Sequence, residues 1–178
     1  GIPFVLNAFC KAMSKEYEVQ QEFNQDDAFK VLAILKDRMK SQLHAIEQKK
    51  LERRQHAVEM YSRAMDKIRA LQAGRDNYAA YKNLCYYIGQ FADNLILDDQ
   101  LTVYGDCIRI GIKAKVNFQE LGYWLTKAVM CVTKQPTSEN VEEAFDFIDA
   151  YKEYFLTQNQ NEGKKLLKNI VTRLNESC

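Results

Sequence analysis

"AFKVLAILKDRMKSQLHAIEQKKLERRQHAVEMYSRAMDKIRAL", residues 28–71, decides the fold. It holds neither Gly nor Pro. Apolar side chains or Tyr recur at Ala28, Leu32, Leu35, Met39, Leu43 and Ile46, and again at Ala57, Tyr61, Ala64, Ile68 and Leu71. Lys50 and Arg53 fill the two places between. Each step along this series is three or four residues and the mean is about 3.6, one turn of an α-helix. A turn inside 47–56 would shift the register, and the register does not shift. The pattern predicts one amphipathic helix over about 26–72, on the order of 65–70 Å long, with Gly74 as its stop.

The same stretch carries an anomaly. Lys49, Lys50, Arg53 and Arg54 put four cations into six residues, and Lys50 and Arg53 stand on the apolar stripe. Burying them unpaired would be expensive. Two arrangements are acceptable: carboxylates of another helix meet them, or the stripe opens there and they face water. A candidate for the first is the acidic stripe Glu142, Asp146, Asp149 and Glu153, spaced by four, three and four. Dense clusters of one sign are usually solvated, so exposure is the expectation, and the four cations are the candidate site for an anion or an acidic partner.

Working outward, "FVLNAFCKAMSKEYEVQQEF" after Pro3 reads as a first helix ending near 23. Residues 76–97 read as a third helix capped by Asp76. Residues 101–116 are ambiguous. Ile108, Ile110, Ile112, Ala114 and Val116 alternate with polar residues or Gly, as in a strand, while Leu101, Tyr104, Ile108 and Ile112 fit a helix. A lone hairpin is marginal, so helix is favoured, with a short β-hairpin at 101–116 as the alternative. Asn117 with Glu120 resembles a capping box ahead of a helix apolar over much of its circumference, with Trp124 expected in the core. Pro136 ends that helix. Thr137 or Ser138 begins the next, "NQNEG" breaks it, and a short basic helix closes the chain. The expectation is an all-α bundle of five to seven helices around the long one. Residues 1–178 are expected to form a single helical domain, or that domain as a piece of a longer protein.

The totals agree. Seven Gly and two Pro in 178 residues leave little punctuation for a β fold. The net charge of +1 gives the whole molecule no bias toward nucleic acid or membrane. Charge is instead segregated. Residues 36–75 hold 11 Lys/Arg against 5 Asp/Glu, and residues 138–162 hold 1 against 7. Cysteines at 10, 85, 107, 131 and 178 are odd in number, widely spaced and without a CxxC, which fits a reduced, intracellular protein better than a disulfide framework. No apolar run approaches a membrane span, and the opening "GIPFVLNAF" has no signal-peptide pattern. A soluble or peripheral protein is expected.

Catalytic signatures are sparse. His44 and His56 lie about 120° apart on a helix, so they share no face. Glu52 and His56 could ligate a metal, but no second pair completes a site; no metal and no cofactor is expected. Gly105, Gly111 and Gly122 fit no phosphate-binding loop. The pairs Asp26–Asp27, Asp98–Asp99 and Glu142–Glu143 read as negative charge at helix N-termini. Tyr78, Tyr81, Tyr86, Tyr87, Phe91, Tyr123 and Trp124 could stack bases, but at helical spacing they read as core, and nucleic acid is not an expected partner. The composition, rich in Tyr, Gln and Asn, is similar to that of accessory domains of secreted bacterial effectors, a likeness that reaches no motif. The expected function is a non-catalytic module that docks a protein partner. The alternative is a membrane-targeting module that grips anionic, phosphoinositide-type head groups through Lys49, Lys50, Arg53 and Arg54. An enzyme whose site assembles only in three dimensions is the second alternative.

Continuity of the long helix is testable. Gln48→Pro removes a backbone donor and clashes with the preceding turn. It should cost about 3 kcal/mol or more, read as lost helicity and a lowered melting midpoint; an unchanged melt would contradict one unbroken helix.

Overall fold

A computed structural model describes residues 7–12 and 25–177. The chain is all-α, and no strand occurs among the described residues. Packing divides it into two units, Gly1–Arg53 and Arg54–Cys178. Residues 7–12 belong to a first helix, α1; the remainder of the expected first helix lies outside the described residues. The long helix, α2, runs unbroken over Gln25–Ala73, through the basic stretch. In the first unit the described part of α2 buries Leu35 and half-buries Ala28, Met39, Leu43 and Ile46, while Phe29 and Ile34 are exposed.

The second unit contains the rest of α2, then α3 (Asn77–Phe91), α4 (Leu97–Lys113), α5 (Phe118–Met130), α6 (Ser138–Gln158) and α7 (Gln160–Ser177). Short 3₁₀ turns at Ala92–Asn94 and Cys131–Lys134 follow α3 and α5. The caps explain the boundaries. The side chains of Asp76, Asn117 and Thr137 accept from the backbone N–H groups of Ala79, Glu120 and Asn140, filling donors that a helix start leaves open. At two helix ends the left-handed residue is not Gly. Arg75 and Lys115 have φ of 60° and 57°. Asp76 N–H reaches back to Leu71 O, and Val116 N–H to Gly111 O, the six-residue closure of a Schellman motif. Gly74 therefore sits one place before the left-handed position. "NQNEG" breaks the chain only at Asn159, whose side chain caps α7.

Residues 101–116 resolve as helix rather than hairpin, since α4 spans Leu97–Lys113. Its burial shows why the alternation left a hairpin open as the alternative. Val103, Tyr104, Cys107, Ile108 and Ile110 are all buried. Residues i and i+2 can both be inside only on a helix covered around most of its circumference. The third helix stops at Phe91 rather than near 97, and Leu97–Gln100 form the first turn of α4. Close approach is needed here too: a Cβ on Gly111 would stand 2.6 Å from Leu121 Cδ2.

The C-terminal part of α2 is held to this core by Ala57 and Ile68, both fully buried. Tyr87 on α3 donates to the carbonyl of Ala57 at 2.6 Å, and Tyr61 on α2 donates to Asp106 on α4 at 2.5 Å. Burial raises the Tyr87 hydroxyl to about 12, so both bonds keep their proton at neutral pH. Trp124 is buried, as expected. Each fully buried large side chain, such as Leu84, Ile108 or Phe155, contributes about 1.5–3 kcal/mol.

Two glycines should respond oppositely to one methyl group. Gly163, at the start of α7, brings its backbone against α6, and a Cβ there would meet Phe155 O at 2.8 Å. Gly89, inside α3, is exposed and has nothing within 4 Å of the added carbon. Gly163→Ala should lower stability, since a carbonyl cannot yield as a side chain can. Gly89→Ala should raise it by about 0.5–1 kcal/mol. Denaturant melts of the two variants check both signs.

Candidate functional site

A helix turns about 100° per residue, so Lys49, Arg53, Lys50 and Arg54 fall within one arc of about 140°. The neighbouring stripe residues Ile46 and Ala57 project into the same arc. The cations thus interrupt the apolar face rather than stand behind it. All four are exposed. Within its own unit, none forms an ion pair with a described residue. Helix continuity does not require a buried stripe: the i to i−4 backbone bonds are made whatever the side chains face.

The spacing has an energetic cost. Lys49 and Arg53 are i, i+4 neighbours, as are Lys50 and Arg54. Each like-charge pair destabilises a helix by about 0.2–0.5 kcal/mol. Beside the arc, Leu51 is 42% exposed. In the second unit, Arg54 lines an open cleft of about 330 Å³ together with Asp93, Leu95, Gln100 and Lys134. Lys134 and Asp93 approach to 3.8 Å with both side chains largely in water, a pair worth little. Gln100 is held structurally, donating to Ala92 O at 2.7 Å. Lys134 was not singled out in the sequence, and nothing near it in the chain marks it: eighty positions separate it from Arg54.

The acidic stripe lies on α6 with Glu142, Asp146, Asp149 and Glu153 exposed. Asp149 pairs with Lys152 at 2.9 Å. Of the carboxylate pairs, Asp26–Asp27 and Asp98–Asp99 occupy first turns of helices, whereas Glu142–Glu143 lie one turn further in. Glu143 comes against Asp98 of α4. A hydrogen bond to Asp98, with burial and the nearby negative charges, holds its carboxyl above the usual range. Asp98, Glu143 and Asp146 share a shallow notch with Leu101 and Phe147, and Phe145 beside it is exposed.

The remaining candidates separate. Tyr81, Tyr87 and Trp124 are buried, while Tyr78, Tyr86 and Tyr123 are exposed; Lys82 sits over the Tyr78 ring and Lys127 over the Tyr123 ring, each at 5.6 Å. Glu52, His44 and His56 are exposed, and the His56 ring meets the Phe91 ring at 5.5 Å. Among the described residues no group of three or more His, Cys, Asp or Glu is placed to hold a metal, and no helix is long and apolar enough to cross a membrane. No protein-family model, curated protein or solved structure matches the chain.

Because the basic run is exposed and self-repelling, Lys50→Ala combined with Arg53→Ala should leave the fold intact. Each change removes one like-charge pair and installs the best helix former. Stability should stay within about 0.5 kcal/mol of the parent or rise slightly; a clear fall in the melting midpoint would mean these cations are paired inside the protein.

Proposed function

We propose that the chain is a non-catalytic interaction module that docks an acidic protein partner through Lys49, Lys50, Arg53 and Arg54 of α2. The observation that carries this reading is the exposure of all four cations in one arc of an unbroken helix, at a cost to helix stability. Four donors over two turns match carboxylates spaced along one face of a partner helix or strand. A partner of such dimensions meets the local charge alone. An extended anionic surface reaches well beyond this run, and the chain as a whole nets only +1.

The second reading, a module for anionic membrane lipid, draws on Leu51, an exposed apolar side chain next to Lys50. A cation near an anionic membrane contributes about 1 kcal/mol, so the run alone would support reversible attachment.

One pair of titrations separates the readings. A synthetic Glu- and Leu-containing helical peptide should bind the full chain at low salt and release at high salt. Lys50→Ala with Arg53→Ala should weaken that binding about thirtyfold, the equivalent of about 1 kcal/mol per cation. Vesicles containing phosphatidylserine and a phosphoinositide should not sediment the protein. Sedimentation without peptide binding would put the lipid reading in place of the protein one, and binding to neither would overturn both.

A further inference from the structure

Cys85 on α3 and Cys107 on α4 are free thiols whose sulfurs approach to 3.9 Å. Their environments differ. Cys107 is fully buried, whereas Cys85 is only half-buried. Of the two, Cys85 alone has solvent exposure, so a small oxidant reaches it first. The hydroxyl of Tyr81, one turn earlier on α3, stands beside the Cys85 sulfur. Either thiol can donate to the other; the contact with Cys107 holds the Cys85 thiol below its ordinary value, and the same contact with burial pushes Cys107 up, so the more accessible sulfur is also the better nucleophile. Cys131 lacks this arrangement: it is buried, donates to the Lys127 carbonyl, and burial pushes it up.

We propose that Cys85 and Cys107 are an oxidisable dithiol site for hydroperoxides, with Cys85 attacking and Cys107 resolving. The Cys85 thiolate displaces alkoxide or hydroxide from the peroxide O–O bond, and the leaving oxygen takes up a proton. Cys85 becomes a sulfenic acid, oxidised by two electrons, and the peroxide is reduced to an alcohol or water. The Cys107 sulfur then bonds to the Cys85 sulfur, whose hydroxyl leaves as water with the Cys107 proton. In total, two thiols and one hydroperoxide give a disulfide, an alcohol or water, and one further water. The sulfurs must close from 3.9 Å to about 2.05 Å. The product would clamp α3 to α4.

The test uses the reduced full chain and hydrogen peroxide. After peroxide treatment and alkylation of remaining thiols, digestion without reductant should yield a linked peptide pair containing Cys85 and Cys107. The intact chain should lose two hydrogen masses, and dithiothreitol should restore them. Cys107→Ser should leave a sulfenic acid at Cys85 that dimedone traps, and Cys85→Ala should leave Cys107 unmodified at the same dose. The wild-type digest decides even if a variant folds poorly. The proposal is overturned if Cys85 passes to sulfinic acid without a linked peptide, or if Cys10 oxidises while Cys85 and Cys107 both remain alkylatable.

Discussion

The hydroxyl of Tyr81 is buried with its ring at 1% exposure, and an unsatisfied phenol there would cost about 1–3 kcal/mol. Satisfying it fixes α3 against α5, and the same side chain packs against α4. From α3 it donates to Glu120 at 2.5 Å and accepts from the indole N–H of Trp124 at 2.8 Å, both on α5. Its ring lies where a Cβ on Gly111 of α4 would meet it at 3.2 Å. Its one proton is donated and one lone pair accepts, so rotating α5 or sliding α3 by one residue would orphan two polar groups in the core. Burial, with the bond to Glu120, drives the hydroxyl far above its ordinary pKa, and it stays neutral throughout the physiological range. The bond also accounts for a departure from the capping-box pattern: Glu120 binds Tyr81 with its side chain instead of reaching back to Asn117.

The parts legible in the sequence were those governed by local geometry. The continuity of α2 could be read because its register is a property of consecutive turns, and the caps at Asp76, Asn117 and Thr137 because a cap involves residues three apart. The hairpin ambiguity arose where burial removed the contrast on which periodicity depends. The left-handed ends at Arg75 and Lys115 carry no mark, since a Lys or Arg there is tolerated only through the bonds that follow it. Of the candidate site, the cation run was visible in one glance at residues 49–54. The cleft joining Arg54 to Lys134, the meeting of Asp98 with Glu143, and the facing sulfurs of Cys85 and Cys107 were not, because each depends on how two helices pack.

The long helix separates two demands that a shorter one would confuse. From Ala57 onward its stripe serves the core, through Ala57, Ile68 and the part-buried Tyr61. At Lys49–Arg54 the same face is given to charge. Backbone hydrogen bonding carries the helix across the change without regard to what the side chains meet, so a charged surface can occupy core-type positions without a break in secondary structure. The cost falls on helix propensity and charge repulsion, both small beside the burial that anchors the C-terminal part.

Most packing in the second unit joins consecutive helices: α3 with α4, α4 with α5, α5 with α6, α6 with α7. Such a topology has short loops to close and folds rapidly. The bonds that secure α2 span much longer loops, thirty residues for Tyr87 to Ala57 and forty-five for Tyr61 to Asp106, and closing them costs correspondingly more entropy. During synthesis the order is awkward, because α2 emerges before α3 and α4, which carry its anchors. Until Asp106 has left the ribosome, Ala57, Tyr61 and Ile68 face water on a nascent helix. The four cations just before them then repel the same stretch of a neighbouring nascent chain, and that interval is when an unfinished apolar face would otherwise aggregate.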